Sequence, residues 1–83
     1  MIPRIKTIEP QPAFKLLITF DGGEKIIYDV EEDIEQIPAF QILKTEAGLF
    51  NNFQIAESRT CVFWSDMIDL PSDTLLEYGQ KVK

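Results

Sequence analysis

Eighty-three residues set eight Lys and Arg against fourteen Asp and Glu, a net charge of −6, with no His and a single Cys. Without His there is no Ser-His-Asp triad, no Cys-His dyad and no imidazole metal ligand, and one Cys excludes an internal disulfide framework and a Cys-rich zinc site. The length allows one domain over residues 1–83, the 45% apolar content excludes disorder, and the acidic balance disfavours direct binding to nucleic acid or anionic membrane, which needs basic patches.

The start, Met1-Ile2-Pro3-Arg4-Ile5-Lys6, has two basic residues but no apolar run behind them, so it does not read as a signal peptide. Apolar runs such as Leu16-Leu17-Ile18 and Cys61-Val62-Phe63-Trp64 are too short to span a membrane. With one reduced Cys, these features predict a cytoplasmic protein.

Arg4 to Glu9 is β-branched enough for a strand, although Ile5 and Ile8 fall out of phase on a period of two. Glu9-Pro10-Gln11-Pro12 reads as a turn, because neither proline can donate to a ladder. Phe14 to Phe20 is the clearest strand: Phe14, Leu16, Ile18 and Phe20 share one face, with Lys15, Leu17 and Thr19 on the other. Asp21-Gly22-Gly23-Glu24 is a hairpin turn, since adjacent glycines permit positive φ. It lacks the spacing of a phosphate loop, and its flanking acids would repel an anion. Lys25 to Val30 returns as a third strand, completing an antiparallel meander.

The acidic stretch from Asp29 to Glu35 opens a short helix or turn, with Asp29 as its cap and the following carboxylates suited to a helix N-terminus. After Pro38, residues Ala39 to Asn51 read as helical from the spacing of Phe40, Leu43 and Ala47, weakened by Gly48. Phe53 to Glu57 alternates, Ser58-Arg59-Thr60 turns, and Cys61 to Trp64 is apolar on both faces, as a central or covered strand would be. Ser65-Asp66 turns again before the extended Met67 to Leu70. Ser72 is expected to cap a last helix carrying Leu75, Leu76 and Tyr78 and stopping at Gly79, with Trp64 buried against Leu75 or Leu76. The fold class is α+β: an antiparallel sheet made of the N-terminal three-stranded meander plus later short strands, with short helices, one at the C-terminus.

The densest chemistry is Asp29, Glu31, Glu32, Asp33 and Glu35, five carboxylates in seven residues with no base among them. A Ca²⁺ loop would need a central glycine and a downstream bidentate Glu, and both are missing. The remaining readings are a contact face for a basic partner and a solvated helix start. Asp66 and Asp69, near Trp64, are the carboxylate pair for acid–base work. Cys61 has no His to activate it and reads as a structural thiol. Arg4, Lys6 and Lys15 among aromatics raise a single-strand nucleic-acid platform, against which stands ordinary edge protection by Lys and Arg.

In order, Pro3-Arg4-Ile5-Lys6, Leu16-Leu17-Ile18-Thr19-Phe20 before Asp21-Gly22-Gly23-Glu24, Tyr28-Asp29-Val30, Phe50, Val62-Phe63-Trp64 and Ile68-Asp69-Leu70 leading to Thr74-Leu75-Leu76-Glu77 resemble a family of small bacterial proteins, number 2442 of the domains of unknown function. The resemblance spans roughly residues 2 to 79. The family usually has a Gly before its Ile-Asp-Leu, where this chain has Met67. The resemblance implies an α+β fold, no established enzymatic activity and no agreed catalytic residues. It also implies a setting in which stand-alone members are often encoded beside a second small protein, as in toxin–antitoxin pairs. Some relatives carry a helix-turn-helix domain after this module, whereas this chain stops at Lys83.

Together these readings predict a non-enzymatic protein-interaction module, in its specific form the antitoxin of a two-protein pair. Its partner would be a small basic protein encoded by an adjacent gene, met through Asp29, Glu31, Glu32, Asp33 and Glu35. No cofactor, metal, nucleic acid or membrane is expected, and an exposed edge of the meander could pair two copies as a homodimer. The alternative is a small-molecule-binding domain or a small enzyme acting through carboxylates.

Overall fold

The computed structural model describes residues 2–82. In chain order its elements are β1 (Ile5–Gln11), β2 (Lys15–Phe20), β3 (Lys25–Asp29), α1 (Val30–Gln36), α2 (Ile42–Thr45), β4 (Gln54–Ile55), β5 (Cys61–Ser65), β6 (Ile68–Pro71), α3 (Ser72–Tyr78) and β7 (Gln80–Lys81). Turns of 3₁₀ helix at Pro38–Gln41 and Leu49–Asn52 flank α2. The strands make a four-stranded sheet in the order β1-β2-β3-β7 and a three-stranded sheet in the order β4-β5-β6, and every pairing is antiparallel. The fold is α+β.

The meander forms where the period-two pattern places it. Leu16, Ile18 and Phe20 of β2 and Ile26 and Tyr28 of β3 turn inward and are buried, while Leu17 pairs with Ile27 and Lys15 with Asp29 on the outer face. Gly23, at φ +96°, lets the Asp21–Glu24 turn close, with its N–H donating to the Phe20 carbonyl at 2.9 Å. The phase conflict between Ile5 and Ile8 is resolved by a bulge. Ile5 opposes Phe20 and Thr7 opposes Thr19, so Lys6 is the extra residue and both isoleucines point inward.

Two expectations for the first hairpin are corrected. Pro10 and Gln11 belong to β1, opposite Leu16 and Lys15. The ladder tolerates the proline because β1 is an edge strand and needs no donor on its open side. The reversal falls instead on Pro12 to Phe14, with Ala13 at φ 63° and Phe14 at φ 58°. Phe14 therefore lies outside the strand, but its ring packs edge-on against Phe50, centroids 5.3 Å apart. Left-handed backbone costs a non-glycine residue about 1–2 kcal/mol. Ala13 is exposed, so nothing in its surroundings offsets that strain. Ala13→Gly is expected to raise the urea midpoint, by about 0.5–1 kcal/mol once the larger chain entropy of Gly is subtracted. An unchanged or lower midpoint would show that the turn is unstrained.

The helix expected over Ala39–Asn51 is also corrected. It is broken into the two 3₁₀ turns and the four-residue α2. Glu46 turns extended at ψ 113°, and Gly48 at φ 81° reverses the path. Phe40, Leu43 and Phe50 still reach the core, while Ala47 is exposed. In the second sheet β5 is central, flanked by β4 and β6, in keeping with its apolar sequence on both faces. Val62 opposes Leu70, and a register shift between Phe63 and Ser65 makes Trp64 a bulged residue.

Ser72 does not cap α3. The N-cap position is Pro71, and the buried Ser72 hydroxyl donates to the Pro3 carbonyl at 2.6 Å, fastening the N-terminal segment to the helix. Gly79 does end the helix, with its N–H donating to Leu75 O at 2.8 Å. The two sheets meet where Ile5 N–H donates to Arg59 O at 2.7 Å and the Arg59 guanidinium forks onto both Asp21 oxygens at 2.8 Å. One continuous apolar cluster runs from Ile5 through the meander and the helices to Leu75. Among the described residues no helix is long and apolar enough to cross a membrane.

Candidate functional site

Asp29 ends β3 and starts α1 at the same time. Its side chain accepts the Glu31 N–H at 3.0 Å, as expected of an N-cap. Val30 and Ile34 bury one stripe of α1, and their spacing of four residues forces the intervening carboxylates to the other sides of the helix. Glu31, Glu32 and Asp33 fill the first turn, where the helix dipole favours negative charge, and no base occupies the last.

The five carboxylates are not equivalent. Asp33 accepts the Tyr28 hydroxyl at 2.6 Å, and Asp29 is committed to the cap. Glu32 and Glu35 are exposed and Glu31 is half-buried. Burial first, then the Asp33 hydrogen bond and the charges of Asp33, Glu32 and Asp29, push the Tyr28 phenol far above its ordinary pKa, so it stays protonated and donating. Asp29, Glu32 and Asp33 border a cleft of about 290 Å³ shared with Thr74 and Tyr78 of α3, whereas Glu31 and Glu35 do not line it. Sequence reasoning missed Tyr28, Thr74 and Tyr78. Tyr28 carried a signal, since a tyrosine on the inward phase of a strand needs a partner for its hydroxyl. Thr74 and Tyr78 carried none, because only the packing of α3 against β3 brings them there.

The other candidates separate. Asp66 sits in the turn after β5 and Asp69 on β6, both exposed. The Cys61 thiol is raised above its ordinary pKa, by burial first and the Asp69 charge second, which disfavours the nucleophilic thiolate. Among the described residues no three carboxylate or thiol side chains converge as ligands for a metal ion. Trp64 is half-buried, less than expected of a ring packed under the last helix. It stacks on Phe50 with centroids 5.9 Å apart and planes at 22°, and its indole N–H donates to the Phe50 carbonyl at 2.9 Å.

At the opposite end of the first sheet a cleft of about 780 Å³ opens over an apolar floor that includes Pro3, Phe20 and Leu76, with Arg4, Asp21 and Glu24 among its charged neighbours.

Residues 5–81 match a family model described as a protein of unknown function (DUF2442). No curated protein and no solved structure matches the chain.

Proposed function

The chain belongs to that DUF2442 family, and from this premise we propose that it is a non-enzymatic protein-interaction module that binds a basic partner through α1, in its specific form the antitoxin of a two-protein pair. One observation carries this reading: α1 holds its carboxylates on a helix fixed to the core by Val30 and Ile34, with no base in its last turn. A rigid single-sign face speeds the encounter with a positively charged protein and selects against other partners.

The test uses the product of the adjacent gene, captured and titrated by surface plasmon resonance at two salt concentrations. Glu31, Glu32 and Glu35 are replaced together by Gln, leaving Asp29 to cap and Asp33 to hold Tyr28. The association rate is expected to fall roughly 10-fold in the variant at low salt, the low end of the range for electrostatic steering. For the wild type it should fall steeply as the Debye length shrinks from ~10 Å to ~3 Å. The stability should fall by no more than about 2 kcal/mol, the helix-dipole contribution of Glu31 and Glu32, so the variant stays folded. An unchanged association rate sinks the acidic face, and absence of any complex sinks the paired-protein role.

A second reading, a small-molecule-binding domain, is favoured by the larger cleft beside Phe20 and Leu76, whose volume of about 780 Å³ lies within the range of ligand sites. Native mass spectrometry of the purified chain should then show a retained small molecule. A bare chain mass after gentle purification removes that support.

A further inference from the structure

The outer face of the four-stranded sheet has the charge pattern of a surface that fits its own copy. The core lies on the inner face, with Leu16, Ile18, Phe20, Ile26 and Tyr28 buried. On the outer face the cross-strand partners are Lys15 with Asp29, Leu17 with Ile27 and Thr19 with Lys25. Ile27 is 36% exposed, and no strand of the second sheet pairs with this one. Lys15 and Asp29 are neighbours in the ladder, yet among the described residues the one ion pair is Arg59–Asp21, so the Lys15 ammonium and the Asp29 oxygen not taken by the Glu31 N–H face an outside partner without a salt bridge of their own. The chain carries −6 in all, but this apolar centre is framed by two lysines, Lys15 and Lys25, with Asp29.

We propose that two copies associate face to face through this surface, about a twofold axis parallel to the strands and between β2 and β3. Such an axis lays each β2 over the partner's β3. By the observed register, Lys15 then opposes the second copy's Asp29, Leu17 opposes its Ile27, and each contact occurs twice. Sheets packed in this way stand about 10 Å apart with strands nearly aligned, a gap that a lysine and an aspartate side chain bridge. Like charges meet nowhere in this central set. The contact is small. The four strands at about 4.8 Å spacing and five residues at about 3.3 Å rise span roughly 14 by 17 Å, well below the ~800 Å² per partner of a stable complex. The dimer is therefore weak and concentration-dependent. It shares Asp29, the N-cap of α1, with the acidic stretch but leaves Glu31, Glu32 and Glu35 free.

Sedimentation velocity on the full chain, across a range around the ~1 µM to ~1 mM dissociation constants of weak complexes, reads the result. The wild type should move from monomer to dimer with rising concentration. Lys15→Glu, which sets Glu against the second copy's Asp29, should stay monomeric at every concentration, with stability lowered by no more than about 1 kcal/mol because it also sets Glu opposite Asp29 across its own ladder. Leu17→Lys, which buries a charge against Ile27, should do the same. Asp29→Lys should also be monomeric, because it sets two lysines against each other. Mixed with Lys15→Glu, however, it should give a heterodimer, since both contacts then join opposite charges. Because Asp29 also caps α1, circular dichroism must first show that variant folded; if it is not, Lys15→Glu and Leu17→Lys decide the matter. A wild type that stays monomeric at the highest concentration overturns the proposal. So does dimerisation that survives Lys15→Glu and Leu17→Lys, which would place the contact elsewhere, for instance on the β1 edge.

Discussion

Phe20→Ala is expected to leave the chain largely unfolded at 37 °C. Phe20 is the largest of the fully buried side chains at 1% exposed, it faces Ile5 across the ladder, and it closes the meander at the turn that Arg59 clamps from the second sheet through Asp21. Truncating such a phenylalanine costs about 3–5 kcal/mol, transfer and cavity together. A chain of this length holds roughly 4–12 kcal/mol in all, so the loss removes a large share of it. Urea denaturation followed by circular dichroism reads the result. A loss below about 1 kcal/mol would show that the two sheets do not share a core at this point.

Trp64 should show the second largest effect, and for a reason the sequence did not supply. Trp64→Ala removes the stack on Phe50 and the indole donor to the Phe50 carbonyl at once. Because Trp64 is only half-buried, the expected cost is about 3 kcal/mol, the low end of the range for a large aromatic. Trp64→Phe separates the two contributions. It keeps an aromatic ring against Phe50 and loses the hydrogen bond, so it should cost about 1 kcal/mol. The ring and its bond together fix the irregular Leu49–Asn52 turn to β5, which no regular ladder holds. If Trp64→Ala melts like the wild type while weakening binding to the partner, the ring belongs to a contact surface and not to the fold.

The meander was written locally. Leu16, Ile18, Phe20, Ile26 and Tyr28 alternate, Gly23 supplies the positive φ of the turn, and both signals act over two to four residues. Asp29 as a cap and the termination of α3 at Gly79 were legible for the same reason, since helix ends are settled by the nearest side chains, whereas Val30, expected to end the third strand, instead opens α1. The five carboxylates could be read as a group, but not as unequal members. Asp33 is drawn off by Tyr28 from the neighbouring strand, and only the fold makes them neighbours.

What tertiary structure alone decided lies where long-range packing overrides a local preference. Phe14 takes a left-handed backbone because its ring meets Phe50, thirty-six residues away. The Ala39–Asn51 segment gives up a regular helix, and its 3₁₀ turns and the Gly48 reversal instead carry Phe40, Leu43 and Phe50 into one core. Ser72 spends its hydroxyl on Pro3 across the whole chain rather than on its own helix. Local pattern fixes which residues face inward on a strand. Which distant residue each one meets is a property of the assembled core, where burying an apolar ring or satisfying a buried polar atom is worth more than the fraction of a kcal/mol that separates one local conformation from the next.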